Sequence, residues 1–221
     1  MEANIYNFFK FLEEKENRPI PFKIKFLHAP ETITPEDLDV KGDLDLKNTP
    51  ITSLPEGLKV GGFLSLRSCK NLTSLPEGLK VGGFLSLYNC TNLTSLPEGL
   101  KVGGFLYLKN CTNLTSLPEN LKVEGNLNLE NCTNLTSLPD GLDVKGNLIL
   151  DNCTKLTSLP KGLKVGDYLD LSNCTNLTSL PEGLKVGRDL YLENTPLAKE
   201  SDEKILDMIG PNGYIKGKIK K

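Results

Sequence analysis

The chain has 221 residues, of which 38% are hydrophobic and 24% charged, a balance typical of a folded, soluble protein. Its formal net charge of −2 gives no basic excess for binding nucleic acid, and no apolar run approaches the ~20 residues of a membrane span. The single histidine, His28, is too little for a histidine-based triad or a multi-histidine metal site. We therefore expect a non-enzyme with no catalytic residues, no metal and no cofactor.

The start of the chain has neither a basic segment nor a small-residue cleavage site of the kind found in signal peptides. Six cysteines in a chain without a signal peptide are typical of a reducing compartment. We expect a cytoplasmic protein, and export by a route without a cleavable signal stays open.

Residues 1–39 are predicted to form an N-terminal cap. Within residues 2–16, apolar side chains follow the i, i+3, i+4, i+7 spacing of an amphipathic helix: Ile5, Phe8, Phe9 and Leu12. Apolar residues at 22, 24 and 26 then alternate with lysines, which predicts a strand that covers the first coil of the next region.

Residues 40–198 are a tandem repeat of eight coils. The sequence LTSLP recurs with its proline at intervals of 21 residues: Pro76, Pro97, Pro118, Pro139, Pro160 and Pro181. The cysteines share this register: Cys69, Cys90, Cys111, Cys132, Cys153 and Cys174. A period of 21 residues is typical of a repeat architecture.

Each part of the unit VGGFLSLYNCTNLTSLPEGLK, residues 81–101, has a structural interpretation. The alternation L-x-L predicts a short strand with both leucines facing the interior. Leu-Pro interrupts both helix and strand, which predicts an extended or polyproline-like return. Because one coil cannot bury its own leucines, the coils must stack into a solenoid.

The C-terminal residues 199–221 are predicted to form a second cap. Ser201 is a candidate N-cap for a helix that runs through Ile209. The sequence Pro211-Asn212-Gly213 predicts a turn, followed by a short closing strand over residues 214–219.

The repeat resembles the leucine-rich repeat L-x-x-L-x-L-x-x-N/C-x-L, at its short end and with the Leu-Pro of the bacterial LPX type and of small phage repeat proteins. The resemblance covers residues 33–198. It implies an α/β repeat solenoid shaped as a horseshoe, with a concave parallel sheet, an extended or polyproline-like convex side and short helical caps. The valine lies four residues before the first strand leucine rather than three, so a different turn into the strand is expected.

Three further rows recur once per coil. The cysteines are expected to form a buried ladder of free thiols, with Thr49 and Thr195 at its ends. The Thr-Ser pairs, from Thr52-Ser53 to Thr178-Ser179, suggest ice binding as an alternative, although their hydroxyls are expected to bond the local backbone. Acidic residues lie three positions before basic ones, as in Glu98 and Lys101, so opposite charges are expected to offset each other.

The positions that flank the strand leucines should face outward on the concave sheet. All seven aromatic residues between positions 40 and 198 fall at these positions, while other repeat positions hardly vary. Aromatic residues together with arginine are typical of interaction surfaces. The predicted partner-binding residues are Phe63, Arg67, Phe84, Tyr88, Phe105, Tyr107, Lys109, Glu130, Asp151, Tyr168, Asp170 and Tyr191.

These features predict a monomeric, non-catalytic module that binds a protein partner of unknown identity through the concave face, with no nucleic-acid or membrane partner. The alternative is a structural or consensus-like scaffold without a dedicated partner, in which the phenylalanines stack only to stiffen the sheet.

Overall fold

The computed structural model describes residues 2–119 and 121–221 and shows a parallel β-solenoid with few helices. Two nine-stranded parallel sheets run the length of the solenoid, and every coil contributes one two-residue strand to each. Sheet A consists of Asp39–Val40, Lys59–Val60, Lys80–Val81, Lys101–Val102, Lys122–Val123, Asp143–Val144, Lys164–Val165, Lys185–Val186 and Tyr214–Ile215. Sheet B consists of Leu44–Asp45, Leu64–Ser65, Leu85–Ser86, Leu106–Tyr107, Leu127–Asn128, Leu148–Ile149, Leu169–Asp170, Leu190–Tyr191 and Ile219–Lys220.

The register of both sheets reproduces the sequence period. Leu85 pairs with Leu106 in sheet B, and Val81 pairs with Val102 in sheet A. Sheet B is the sheet that the L-x-L pattern predicted. Sheet A was not predicted: the Leu-Pro segment itself carries no strand, and the dipeptide that follows it, Lys-Val in most coils, adds a second row of ladder hydrogen bonds. For example, the Gly82 amide donates to the Val60 carbonyl at 2.8 Å.

The interior between the two sheets is filled by leucines, valines and cysteines. One coil buries seven apolar side chains: Val81, Leu85, Leu87, Cys90, Leu93, Leu96 and Leu100. Each buried aliphatic side chain contributes ~1.5–3 kcal/mol before conformational entropy is subtracted. The repeat leucines of successive coils therefore form one continuous core, as a solenoid requires.

Each coil turns at two corners where the backbone is left-handed. The corner after sheet B is an asparagine in most coils, for example Asn131 with φ +60°, and the corner before sheet A is a glycine, for example Gly141 with φ +71°. Asparagine and glycine are the residues that tolerate this conformation best. The asparagine side chains also bond between coils, because the Asn131 amide donates to Asn110 Oδ1 at 2.8 Å and accepts from Asn152 at 2.8 Å.

The predicted cysteine ladder is present: all six cysteines are buried free thiols. Each thiol donates to a leucine carbonyl of the preceding coil, as Cys90 Sγ does to Leu66 O at 3.1 Å. The thiols therefore behave as small interior groups with one backbone acceptor each, and Cys69 Sγ also contacts the Thr49 hydroxyl at 3.5 Å. Thr49 and Thr195 take the corresponding place at the two ends, where their hydroxyls bond the carbonyls of Leu46 and Leu192 at 2.6 Å.

The N-terminal cap contains helix α1, Glu2–Glu16, helix α2, Phe22–His28, and a 3₁₀ turn, Pro30–Thr32. The predicted first helix is present, but Phe8 on its apolar face is 57% exposed. Helix α2 corrects the predicted strand at residues 22–26. Phe22 and Phe26 lie one helical turn apart with stacked rings 5.6 Å between centroids, and Phe22 enters the core. The alternation of apolar residues with lysines predicted a strand, but Phe22 and Phe26 are four residues apart and also fit the spacing of one helix face.

The C-terminal cap contains a 3₁₀ turn, Pro196–Lys199, and helix α3, Asp202–Ile209, whose first turn is capped by the Ser201 hydroxyl as predicted. The segment after it is not one closing strand. Tyr214–Ile215 joins sheet A and Ile219–Lys220 joins sheet B, so the segment adds a last strand to both sheets. The spacing of Ile215 and Ile219 repeats the V-x3-L spacing of the coils.

Candidate binding face on sheet B

The twelve predicted binding residues share one location, the outer face of sheet B. In the coil of Leu106 both strand leucines are fully buried, while Phe105, Tyr107 and Lys109 alternate with them and are half-buried or exposed. The extended path continues beyond the two-residue strand, because the Leu108 amide donates to the Asn128 carbonyl at 2.7 Å. Outward residues of successive coils are therefore about 4.8 Å apart, as in any parallel sheet.

An aromatic cluster covers the N-terminal half of this face. The rings of Phe63 and Phe84 are stacked with centroids 4.8 Å apart and planes 4° from parallel. The Tyr107 ring forms T-shaped contacts with Phe84 and Phe105, with ring centroids 6.3 Å and 6.0 Å apart. Phe84 and Phe105 nevertheless stay 37% and 41% exposed. The cluster thus presents apolar surface to solvent as well as packing against itself.

Beside the cluster lies an open groove of about 450 Å³, which we call the aromatic groove. It is lined by Arg67, Phe84, Ser86, Tyr88, Tyr107, Lys109 and Asn128. Five of these residues were predicted, and the structure brings them together. Ser86 and Asn128 were missed because a small polar residue on an exposed strand gives no sequence signal. Only the structure, which places them beside Phe84 and Tyr107, identifies them as residues of the groove.

The two cations of the groove are held differently. The Arg67 guanidinium carbon lies 4.8 Å from the centroid of the Tyr88 ring, in cation–π geometry. Lys109 Nζ forms an ion pair with Glu130 at 2.8 Å. That hydrogen bond raises the pKa of Lys109, which stays protonated at neutral pH. The groove is therefore positively charged at Arg67 and locally compensated at Lys109.

Tyr168, Asp170 and Tyr191 form a separate group toward the C-terminal end. The rings of Tyr168 and Tyr191 meet edge to face at 5.7 Å, and burial together with the charge of Asp170 raises the pKa of Tyr168. Lys220 of the last strand covers Tyr191, with its Nζ 2.8 Å from the phenol oxygen and 2.9 Å from Asp189. Sequence analysis missed Lys220 because it treated the tail as a cap rather than as a strand of sheet B.

The position just before the first strand leucine has a structural use that the phenylalanines do not share. Asp43 Oδ1 accepts the backbone N–H of Phe63, and Asn126 Oδ1 accepts that of Asn147, both at 2.9 Å. An aromatic ring at this position offers no such acceptor. Phe63, Phe84 and Phe105 therefore replace a side chain that would connect one coil to the next.

The remaining faces are more uniform. Lysines cover the outer side of sheet A in most coils, and among the described residues none of them forms an ion pair with the acidic row that precedes it. The Thr-Ser rows are exposed. Where their hydroxyls bond backbone, the acceptor belongs to the preceding coil rather than to the local turn: Thr94 donates to Thr73 O at 3.4 Å and Thr136 to Thr115 O at 3.3 Å.

Within residues 2–119 and 121–221, no group of three or more His, Cys, Asp or Glu side chains is placed to hold a metal ion. None of the described helices combines the length and the apolar character needed to span a membrane. Searches against protein-family models and against curated proteins found no match to this chain.

Proposed function

We propose that this protein is a non-catalytic binding module that recognises a protein partner through the outer face of sheet B. The observation on which the proposal depends is the aromatic groove with the exposed rings of Phe84 and Phe105 beside it. Exposed aromatic residues next to an arginine are the composition of interface centres. A scaffold without a partner would gain more from the coil-linking asparagine found at the same position in Asn126.

The proposal includes a leucine-rich-repeat architecture of the short bacterial or phage type, in which sheet B is the concave side of a horseshoe. The L-x-L strands, the left-handed asparagine corner and the cysteine ladder support it. Concavity would bring the outward residues of neighbouring coils closer together and partly enclose a bound segment. Small-angle scattering of the purified protein tests the curvature, because a straight solenoid has a longer maximum dimension than a curved one.

The binding proposal is tested by capturing partners from a host lysate with three baits. The first is the native chain, and the second carries Phe84→Asp with Tyr107→Asp in the aromatic cluster. The matched control carries Thr73→Asp with Thr115→Asp, which adds the same two charges to an exposed row away from sheet B. We expect one partner to be retained by the native and control baits and lost from the second, with all three folded by circular dichroism. Equal retention by all three would contradict the proposal.

Ice binding through the exposed Thr-Ser rows remains a second proposal, supported by their regular repetition and solvent exposure. A thermal-hysteresis assay tests it with the same variants. Loss of activity in the Thr73→Asp and Thr115→Asp variant alone would assign function to that face. No hysteresis in the native protein would remove this alternative.

A further inference from the structure

Along the outward row of sheet B that contains Arg67, a positive charge without an ion-pair partner among the described residues lies near one end, and carboxylates without one lie toward the other. A further unpaired carboxylate among the described residues, Asp43, lies one coil before Arg67, in the row just ahead of the first strand leucines, where it accepts the Phe63 N–H. Arg67 has no carboxylate within ion-pair distance in the described part of the chain, whereas the lysines at equivalent positions do. Lys47 pairs with Asp45 at 3.0 Å and Lys109 with Glu130 at 2.8 Å. The Arg67 guanidinium rests on Tyr88 and keeps its donors available for a carboxylate.

The negative end is defined by the carboxylates that no described cation neutralises. Glu130 and Asp189 on this face are paired with Lys109 and Lys220. Asp151 instead accepts a hydrogen bond from the Asn173 amide at 2.7 Å, and Asp170 accepts one from the Ser172 backbone at 3.0 Å. Both are neutral donors, and neither carboxylate has a cation within ion-pair distance among the described residues. Within the outward row of Arg67, Asp151 is the nearest carboxylate without an ion pair among the described residues.

We infer that the partner segment is an extended peptide with an acidic residue, an apolar residue two positions later and a basic residue six positions after the acidic one. This inference rests on the proposed function, because it assigns the chemistry of the segment that would occupy the aromatic groove. The acidic side chain pairs with Arg67, the apolar one packs on Phe84 and Tyr107, and the basic one pairs with Asp151.

The spacing follows from the repeat. Asp151 lies four coils after Arg67, at the equivalent position, which corresponds to ~19 Å along the sheet. An extended peptide advances ~3.3 Å per residue, so six residues cover about 20 Å. Phe84 and Tyr107 lie one and two coils beyond Arg67, an offset of ~5–10 Å along the solenoid that matches two residues of peptide. Both side chains line the same groove as Arg67, although they start from positions earlier along their strands.

The parity of these positions supports the same conclusion. In an extended chain, side chains at i, i+2 and i+6 point to one side, whereas odd steps point to the other. A single strand laid along the solenoid can therefore present all three groups to sheet B at once. A peptide with the two charges exchanged is repelled at both ends when it runs in the same direction. In the opposite direction its charges pair, but its apolar residue then lies four positions, or ~13 Å, from Arg67 and misses Phe84 and Tyr107.

The test uses fluorescein-labelled synthetic peptides and the full chain, with affinity measured by fluorescence anisotropy at low salt. The reference peptide is GGEGFGSGKGG, which has Glu, Phe and Lys at i, i+2 and i+6. One control exchanges Glu and Lys, a second moves Lys to i+3, and a third replaces Glu by Gln. We expect the reference peptide to bind at least ~10-fold more tightly than each control, since a lost charge-assisted contact of ~1.4 kcal/mol is a tenfold change.

Two variants connect the affinity to the named residues. Arg67→Gln removes the positive charge, and Asp151→Asn removes the negative one while it keeps an oxygen for Asn173. Arg67→Gln should weaken the reference peptide about tenfold and leave the Gln-containing peptide unaffected, so that the double-mutant cycle shows coupling between the two sites. Asp151→Asn should likewise weaken the reference peptide about tenfold and leave a peptide with Gln in place of Lys unaffected.

Equal affinity for the reference and the charge-exchanged peptide would overturn the inference, as would absence of binding by the reference peptide at 1 mM. Independent effects in both cycles would overturn it too. These failures are distinguishable from failure of the proposed function. If a captured partner is lost from the Phe84→Asp and Tyr107→Asp bait but binds Arg67→Gln and Asp151→Asn normally, the binding face stands and the charge pattern of its partner is wrong.

Discussion

Sheets A and B are built from the same coils, with strands of the same length and the same parallel pairing, yet their outer faces differ. Sheet A presents lysine in most coils, with an acidic residue at Asp39 and Asp143. Sheet B presents phenylalanine, tyrosine, asparagine, serine and charges of both signs at equivalent positions.

The difference separates what the solenoid needs from what it does not. Parallel strands of two residues require an inward aliphatic side chain, which both sheets supply. Their outward position requires only a side chain that is compatible with solvent. A row made mostly of lysine satisfies that requirement, and like-charge repulsion also discourages two copies from packing face to face. The stability of the solenoid does not require the varied, aromatic residues on the outer face of sheet B. We therefore assign the proposed function to that sheet alone.

The largest expected effect concerns the interior that both sheets share. Leu108→Ala, behind sheet B, should destabilise the protein by ~2–5 kcal/mol, because a fully buried leucine leaves a cavity between rigid neighbouring coils. Val102→Ala, behind sheet A, removes fewer methyl groups and should cost ~1–2 kcal/mol. Urea unfolding of the two variants and the native chain measures both. Equal losses would contradict the prediction, because the smaller truncation behind sheet A would then cost as much as the larger one behind sheet B.

A smaller effect is expected at the two left-handed corners. Asn131→Ala loses two ladder hydrogen bonds and strains a residue at φ +60°, so a cost of ~2–4 kcal/mol is expected. Gly141→Ala adds strain only, at ~1–2 kcal/mol, because no atom lies within 4 Å of the added methyl. Asn131→Gly is the control: glycine should relieve the backbone strain of the alanine variant but cannot restore the two hydrogen bonds. If Asn131→Gly is as stable as the native chain, the asparagine ladder contributes nothing.

The smallest effect concerns the thiols. Burial raises the pKa of Cys90, Cys132 and Cys174 to about 12 each, so they remain protonated in the folded chain. Because the unfolded thiols ionise near pH ~8.5, their contribution to stability is complete below that pH and is lost as the pH rises toward 12. The melting temperature should therefore decline above pH ~8.5.

The control for this decline is the variant with Cys90→Ala and Cys132→Ala, which should show a shallower fall between pH 8.5 and 10.5 because two of the responsible groups are gone. Thiol labelling with a disulfide reagent gives a second measurement. Native thiols should react at least ~100-fold more slowly than those of the urea-unfolded chain, because the reactive thiolate is scarce and enclosed. Identical slopes, or rapid native labelling, would show that the ladder is open to solvent.

Much of the fold could be predicted from the sequence because a solenoid is locally determined. The 21-residue period specifies which residue stacks on which, and L-x-L specifies which side chains face inward. The cysteine ladder and the Ser201-capped helix follow from the same local rules. The outward placement of Phe84, Tyr107 and Arg67 was predictable for the same reason, since side-chain direction in a strand alternates strictly. Their role as binding residues is still a proposal.

The features that the sequence did not reveal all depend on contacts between distant segments. A Lys-Val dipeptide is too short to indicate a strand, and it becomes one only when the neighbouring coil offers a carbonyl in register. Residues 22–28 form a helix because Phe22 packs into the core, and Lys220 reaches Tyr191 only because the tail adds a last strand to each sheet. The period by itself determined the interior and the outward rows, whereas tertiary pairing decided the second sheet, the caps and the aromatic groove.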